Sequence, residues 1–239
     1  MKAIVLTYDR NTILTEHMIK CYEELWPNHP FTFRIPFQDE KRCVFAPRRE
    51  YIRSSPEIRA TVLTLLENLD EEEWIYWCID DKYPIKLNLF RILSIYQSIK
   101  DNEVTDNCGV LFCRAGRLLD PEYLTNEKVL FGEEILLERK GYHKIWIHQF
   151  LRVKVIRHLF MNFPDYIEVA KTMDKLKFTV KKPITHRIYV TSVNHSVFGE
   201  SSFGGVITQS CLKSLIEKGF NIPNWQPPTP EREKIIGII

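Results

Sequence analysis

The chain has 239 residues, of which 44% are hydrophobic and 27% are charged. This composition allows a sizeable core within one α/β domain and excludes a disordered chain. Its 33 basic and 31 acidic residues leave a net charge of +2. A dedicated nucleic-acid-binding protein is therefore not expected, because such a protein needs a clear basic surplus to neutralise phosphates.

The first hundred residues alternate strands with helices. Continuous apolar or β-branched runs predict buried strands, and apolar residues at helical spacing predict amphipathic helices. In chain order we predict a strand at 2–8, a helix at 12–25, a strand at 31–37, a polar loop at 38–54, a helix at 55–69, a strand at 74–79 and a helix at 86–99. Such alternation favours a parallel sheet with helices on its faces.

Two of these helices carry recognisable start sequences. Asn11 or Thr12 is expected to cap the first helix, and Ser54 or Ser55 the second, because their side-chain oxygens can accept hydrogen bonds from free backbone N–H groups. Pro56 suits the first turn of the second helix.

The second half of the chain is less regular. Strands are predicted at 109–115 and 185–193, helices at 164–176 and 206–218, and an extended proline-rich tail at 224–234. The segment 128–139 fits a strand or a helix, and 143–160 starts like a strand and ends like a helix. No repeat or linker divides the chain, which favours a single domain.

The cysteines and the apolar segments indicate the cellular compartment in which the protein is expected. The cysteines are scattered, and none of them forms the paired CxxC spacing of a zinc site. No apolar stretch reaches the ~20 residues of a membrane-spanning helix, and the first residues are too short for a secretory signal. We therefore expect a cytoplasmic protein without a transmembrane segment, one that can still contact a membrane surface peripherally.

Asp80 and Asp81 are the strongest chemical feature of the sequence, because they directly follow the apolar run at 74–79. Ligands of parallel α/β sheets bind outside the carboxyl ends of the strands. Two adjacent carboxylates repel each other when both are ionised, so they need a nearby positive charge. A divalent cation shared with a diphosphate supplies that charge. Alternatively, the pair makes a turn with Lys82 and Pro84 or caps the following helix.

The segment 71–86, EEEWIYWCIDDKYPIK, resembles the DxD region of GT-A fold glycosyltransferases. Together with the alternation up to about residue 100, the resemblance implies a single-domain, three-layer α/β/α sandwich with a mostly parallel central sheet. It further implies a nucleotide-binding half at 1–100, a sugar- and acceptor-binding half at 101–239, and dependence on Mn²⁺ or Mg²⁺. Asp81 would be the metal ligand, and Asp80 would touch the ribose or the metal. Ile79 departs from the family, many members of which have an acidic residue there.

The same resemblance assigns the donor nucleotide to the end of the first strand, at Thr7, Tyr8, Asp9 and Arg10. Tyr8 would stack on a base, Asp9 would accept a hydrogen bond from the base, and Arg10 would face a phosphate. The alternative is a solvated loop with an incidental charge pair.

Basic residues follow the second predicted strand. Arg48, with Arg49 and Arg53, can bind a diphosphate through its guanidinium group, or it can belong to a solvated loop. By analogy with GT-A enzymes, His195 is the candidate that completes the metal shell, although a lone histidine is more often structural.

An inverting transfer needs a general base that takes the proton of the acceptor hydroxyl. The candidates are Glu133, Glu134 and Glu200, with Asp120 as a further carboxylate. A predicted helix follows Ser201, Ser202, Gly204 and Gly205. Its free N–H groups can hold a phosphate or a sugar hydroxyl, or they can simply be capped.

The leading hypothesis is a metal-dependent transferase that moves a sugar from a nucleotide diphosphate, most simply UDP, to a glycan or lipid-linked acceptor in surface polysaccharide or glycan synthesis. A sugar-phosphate nucleotidyltransferase is an alternative, but that family has a glycine-rich segment after the first strand and TYDRNTILTEH contains no glycine. A non-catalytic nucleotide-sugar-binding protein of the same fold is the third hypothesis.

Overall fold

The computed structural model describes residues 1–101, 106–114, 122–163, 179–203, 206–222 and 235–236, without the side chains of residues 203, 235 and 236. The helix predicted at 164–176 and the tail at 224–234 lie outside the described residues, as do Asp120, Gly204 and Gly205.

The described residues contain fourteen strands. They are β1 Lys2–Leu6, β2 Thr32–Phe37, β3 Arg49–Arg53, β4 Trp74–Ile79, β5 Lys82–Leu87, β6 Asn107–Leu111, β7 Leu124–Phe131, β8 Glu134–Arg139, β9 Gln149–Arg152, β10 Arg187–Thr191, β11 Ser196–Glu200, β12 Ser202–Phe203, β13 Val206–Ile207 and β14 Ile235–Ile236.

Five α-helices are described: α1 Thr12–Leu25, α2 Ile58–Leu65, α3 Leu89–Lys100, α4 Val153–Met161 and α5 Gln209–Glu217. Short 3-10 turns lie at Asp9–Asn11 and Glu40–Arg42. No helix in the described part of the chain is long and apolar enough to span a bilayer.

Nine strands form the central sheet, in the order β3-β2-β1-β4-β9-β6-β10-β8-β7. The four strands of the first half pair in parallel, as do β6 and β10. Antiparallel pairs come from the second half, because β9 inserts between β4 and β6, and β8 and β7 form a hairpin beside β10. The parallel first half agrees with the prediction.

Helices cover both faces of this sheet. One core packs α1, α3 and α5 against alternate strand residues such as Val5 and Tyr76, and the other packs α2 and α4 against residues such as Ile4 and Trp77. Because successive strand side chains point to opposite faces, the continuous apolar runs of β1 and β4 serve both cores. The predicted three-layer α/β/α fold class is thereby confirmed.

Two segments predicted otherwise are strands. The loop prediction at 38–54 is wrong at β3, which pairs with β2 along its full length. Its polar sequence reflects an edge position, where Arg49 forms ion pairs with Glu16 and Glu23 of α1. The helix predicted from residue 86 begins at Leu89, because the residues before it form β5.

The caps also differ from prediction. Asn11 makes no side-chain cap hydrogen bond. The cap of α2 is Glu57, whose carboxylate accepts from the backbone N–H groups of Arg59 and Ala60. Ser55 instead accepts from the backbone N–H of Glu57, so the helix starts later than the sequence indicated.

The ambiguous segments of the second half are resolved by the hairpin and by α4. Residues 128–139 are strand, with a turn in which Gly132 has a φ of 58°. Residues 149–152 are strand and the following residues are helix, as the pattern of 143–160 predicted in part. The helix predicted from 206 begins at Gln209, capped by Thr208, which accepts from the N–H of Cys211.

A second, smaller sheet lies beside the end of β4. It consists of β5, β11 and β14, with β11 in the middle and antiparallel to both neighbours. Glu200 is paired with Lys82, and Ser196 with Leu87. The chain therefore returns, more than a hundred residues later, to the point where Asp80 and Asp81 leave the central sheet.

Candidate functional site

The carboxyl ends of the parallel strands meet at one edge of the central sheet. β1, β2, β3 and β4 all end there. β6 and β10 run in the same direction as β4, because β9 is antiparallel to both β4 and β6. This is the edge at which ligands of α/β sheets bind, and β4, at its centre, delivers Asp80 and Asp81.

Asp80 is buried and hydrogen-bonded to the end of β1 and the turn after it. Its Oδ2 accepts from Thr7 Oγ1 at 2.6 Å and from Asn11 Nδ2 at 2.9 Å. Its backbone N–H donates to the carbonyl of Leu6 at 3.2 Å. The Thr7 hydroxyl also lies 2.8 Å from the hydroxyl of Thr15 on α1. Asp80 therefore joins β1, β4 and α1.

Burial raises the pKa of Asp80 to about 7, and the neighbouring Asp81 adds to the rise. The hydrogen bonds from Thr7 and Asn11 act in the opposite direction, because they stabilise the ionised form. A carboxyl group with this pKa changes its protonation state near neutral pH.

Asp81 faces outward where Asp80 faces inward. The Asp81 side chain is 43% exposed, and its Oδ1 lies 3.1 Å from Nζ of Lys82. The Lys82 side chain is only 9% exposed, and its ammonium group also lies 3.9 Å from Oε1 of Glu200. The backbone N–H of Ser201 donates to the Asp81 carbonyl at 2.6 Å. Two carboxyl groups, those of Asp81 and Glu200, thus flank one ammonium group.

The turn after β1 carries Tyr8, Asp9 and Arg10, and of these Asp9 has a structural role. Both oxygens of the Asp9 carboxylate accept backbone N–H groups, from Gln38 at 3.1 and 3.2 Å and from Asp39 at 2.7 Å. Asp9 therefore fastens the segment after β2, and its expected role as an acceptor for a base stays a prediction.

Tyr8 and Arg10 remain available at the same turn. The Arg10 guanidinium lies 5.7 Å from the centre of the Tyr8 ring, and Arg10 is exposed. Burial raises the pKa of Tyr8 to about 12, with a further contribution from Asp80. A neutral phenol beside an exposed guanidinium is compatible with stacking on a base and contacting a phosphate.

Arg48 lies at the other end of the strands. It precedes β3, and its Nη1 donates to the carbonyl of His29 at 2.9 Å, just before β2. Because β2 and β3 are parallel, both residues sit at the amino edge, away from Asp80. The expected placement of Arg48 in the ligand crevice is therefore corrected. Arg49 is held in its ion pairs with α1, and Arg53 is at the carboxyl end of β3.

His195 lies at the far end of β11 from Asp81. The pairing of β11 with β5 and a rise of about 3.3 Å per residue place it roughly 15 Å from the Lys82–Glu200 pair. Its Nε2 lies 2.8 Å from Oε2 of Glu134, and both side chains are buried. His195 therefore does not join the two aspartates, which corrects its assignment as a third metal ligand.

Two of the predicted bases belong to this distant cluster. Glu134 lies 3.5 Å from Arg91 in addition to its contact with His195, and Glu133 lies 2.7 Å from the same Arg91. Both glutamates are thus engaged at the β7–β8 turn. Of the three predicted bases, only Glu200 lies beside Asp81.

The fit of a divalent cation depends on Asp81. In the described part of the chain, no three His, Cys, Asp or Glu side chains converge as a complete ligand set. One oxygen of Asp80 is already taken by two donors, whereas the carboxylate of Asp81 is exposed. Because Mg²⁺ usually binds through one or two carboxylates together with substrate phosphates and waters, Asp81 fits as a ligand and Asp80 fits as its support.

Sequence reasoning missed two members of the site. The sequence pattern assigns Lys82 only to a turn and Asn11 only to a helix cap. Their spacing from Asp80 in the sequence, two residues for Lys82 and 69 for Asn11, carries no common pattern. A lysine directly after an acidic pair at a strand end was the one available indication for Lys82.

No protein-family model matches the chain, and no curated protein matches its sequence. Among solved structures, the chain is similar to the galactosyltransferase LgtC in complex with donor and acceptor sugar analogs, with 12% identity and a TM-score of 0.42 over 77% of this chain and 67% of LgtC. It is also similar to TarS of S. aureus, with 13% identity and a TM-score of 0.46 over 82% of this chain and 36% of TarS.

A third similar structure is 4-diphosphocytidyl-2C-methyl-D-erythritol synthase from Anaerococcus prevotii, with 9% identity and a TM-score of 0.45 over 91% of this chain and 94% of that chain. The chain thus spans about two thirds of the length of LgtC and about a third of TarS. With TM-scores below 0.5, these likenesses are no evidence for an activity of this chain.

Proposed function

We propose that this protein is a glycosyltransferase that binds a nucleotide-diphosphate sugar at the carboxyl edge of its central sheet. A UDP-sugar is the first donor to test, and the acceptor is a hydroxyl group of a glycan or lipid-linked sugar. The first hundred residues hold the nucleotide, and the second half contributes sugar and acceptor contacts.

One observation carries the proposal: β4 ends in a buried and an exposed aspartate at the centre of the ligand-binding edge. Asp80 is fixed by Thr7 and Asn11, so the backbone that carries Asp81 is held in place. A rigidly supported, exposed carboxylate at this position is the arrangement that a metal–diphosphate ligand requires.

In this function Asp81 holds Mn²⁺ or Mg²⁺ together with the diphosphate. When bound, the cation offsets the charge that develops on the departing nucleotide diphosphate. Asp80 positions Asp81 through its contacts to β1, and Tyr8 and Arg10 flank the nucleotide. Lys82 limits the repulsion between Asp81 and Glu200.

Glu200 is the proposed general base for the acceptor hydroxyl. It is the predicted base that lies next to Asp81, and its Oε1 is 3.9 Å from Lys82 Nζ. A Glu200→Gln substitution should therefore lower kcat while leaving the donor affinity within about twofold of the wild type.

The direct test is calorimetric titration of the full chain with UDP in the presence of Mn²⁺. Asp81→Asn should weaken binding by about tenfold or more, because it removes the charge of the proposed ligand. The matched control is Asp101→Asn, which changes an exposed aspartate after α3 and should bind like the wild type.

Absence of binding by any nucleoside diphosphate to the wild type, with and without Mn²⁺, would refute the proposal. Products separate the remaining hypotheses. Release of a nucleoside diphosphate from a sugar donor supports a transferase, release of pyrophosphate from a nucleoside triphosphate supports a nucleotidyltransferase, and binding without either supports a non-catalytic protein.

A further inference from the structure

A cleft of about 690 Å³ lies next to the turn after β1. Its walls are the first turn of α1, the segment 41–44 and the residues that follow α5. This volume is typical of a site for a small molecule. Through Asn11, which lies between the cleft residues Arg10 and Thr12 and donates to Asp80, the cleft borders the candidate donor site.

More basic than acidic side chains line the cleft. Arg10, Lys41 and Arg42 line it, and in the ranges that the structure covers none of the three forms an ion pair. Of the two acidic lining residues, Glu16 is paired with Arg49, whereas Asp9 accepts backbone N–H groups and keeps its negative charge. Three cations on one cleft attract an anion.

The same cleft has an apolar wall, formed by Ile13, Val44 and Phe220. Phe220 is fixed by the end of α5: Gly219, with a φ of 76°, closes the helix, and the N–H of Phe220 donates to the carbonyl of Leu215 at 3.0 Å. This is the hydrogen-bond pattern of a Schellman motif. The Phe220 ring also lies edge-on to His17, with 6.0 Å between the ring centres.

We propose that this cleft binds an organic phosphate with an apolar carbon part. Lys41 and Arg42 contact the phosphate, Ile13, Val44 and Phe220 contact the carbon chain, and Arg10 lies at the border with the donor site. Binding of such a ligand to the cleft does not depend on the proposed transferase function. The role of that ligand as the acceptor, or as the carrier of the acceptor sugar, rests on the proposed function, because the cleft adjoins the donor site through Asn11.

The probe is octyl phosphate, titrated calorimetrically below its micelle concentration into the full chain. Inorganic phosphate and octanol are the two partial ligands, and each should bind at least about tenfold more weakly than octyl phosphate, because each makes only one of the two kinds of contact. Equal binding of octanol and octyl phosphate would overturn the proposal, as would no binding of octyl phosphate.

The variant that tests the cations is Lys41→Gln/Arg42→Gln, which should weaken octyl phosphate binding by about tenfold. Its control is Lys20→Gln/Arg53→Gln, which removes two exposed cations outside the cleft and the same net charge. An equal loss in both double variants would show non-specific attraction and overturn the site. All four substituted side chains are exposed, and thermal unfolding verifies that each variant is folded.

Asp81→Asn separates this proposal from the proposed function. It should retain octyl phosphate binding and lose UDP binding. Failure of every nucleoside diphosphate to bind the wild type refutes the transferase and leaves the octyl phosphate result standing. Loss of octyl phosphate binding in Asp81→Asn would place the phosphate at Asp81 and overturn the cleft site.

Discussion

Asp80 and Asp81 show how one strand end gives two carboxyl groups opposite environments. Asp80 turns inward to Thr7 and Asn11, and Asp81 turns outward beside Lys82. Their position at the sheet edge could be predicted from the apolar run that precedes them. Which of the two would be buried could not, because that depends on the hydroxyl and amide groups of a turn some seventy residues earlier.

The Thr7 hydroxyl is the best residue at which to test this support. Thr7→Val keeps the shape of the side chain but removes a donor to a buried carboxyl group, so the free energy of unfolding should fall by about 1–3 kcal/mol. Thr7→Ser keeps the hydroxyl and should lose less than half as much. Urea unfolding at pH 7 measures both, and equal losses would show that packing of the methyl group matters more than the hydrogen bond.

At the scale of single elements, sequence periodicity predicted the interior of the sheet better than its margins. α1 and β4 have the predicted bounds, because both are set by continuous apolar patterns. β3 and β5 were missed, because an edge strand and a strand in a small second sheet have fewer buried positions. Prediction of the site had the same weakness. The pairing of β11 with β5 brings Glu200 next to Lys82, and no local sequence pattern reveals a pairing between positions so far apart.

Gly199 tests the packing of that small sheet. A Cβ atom at this position would lie 2.6 Å from Cζ of Tyr83, which is itself buried and in contact with His17. Gly199→Ala should therefore reduce the free energy of unfolding by about 1–3 kcal/mol. Gly141→Ala is the control, since its nearest neighbour would be 3.3 Å away, in the side chain of His143, and it should cost less than about 1 kcal/mol.

Glu57 tests the revised start of α2. Glu57→Ala removes the acceptor for two backbone N–H groups, and the expected loss in the free energy of unfolding is about 1 kcal/mol. Glu57→Gln retains one oxygen acceptor and should lose less. If the alanine variant is as stable as the wild type in urea, the cap does not contribute.

At the scale of the whole molecule, buried histidines make the fold sensitive to acid. Burial lowers the pKa of His17, His29 and His186 to about 4 and that of His148 to about 3. In the unfolded chain these groups titrate near pH 6.5. Between the two values the unfolded state binds more protons, so stability is fully present above about pH 6.5 and is lost as the pH falls towards 4.

His17→Gln isolates one of these contributions. His17 is fully buried and lies 2.8 Å from the hydroxyl of Ser214, a contact that glutamine can maintain. Within the window from pH 6.5 to 4, the variant should lose less stability than the wild type, by about 1.4 kcal/mol per pH unit. Urea unfolding at pH 5 and pH 7 measures the difference, and parallel losses in both proteins would contradict it.

The order of strands in the central sheet has a consequence for synthesis on the ribosome. β4 lies between β1, which is already made, and β9, which begins about 70 residues later in the chain. At translation rates of about 5–20 residues per second, the apolar sequence WIYWCI waits roughly 4–14 s for its second neighbour. During that time one edge of β4 has unpaired backbone groups and can pair with other chains. Nascent chains of this protein should therefore depend on chaperones most strongly between the emergence of β4 and that of β9.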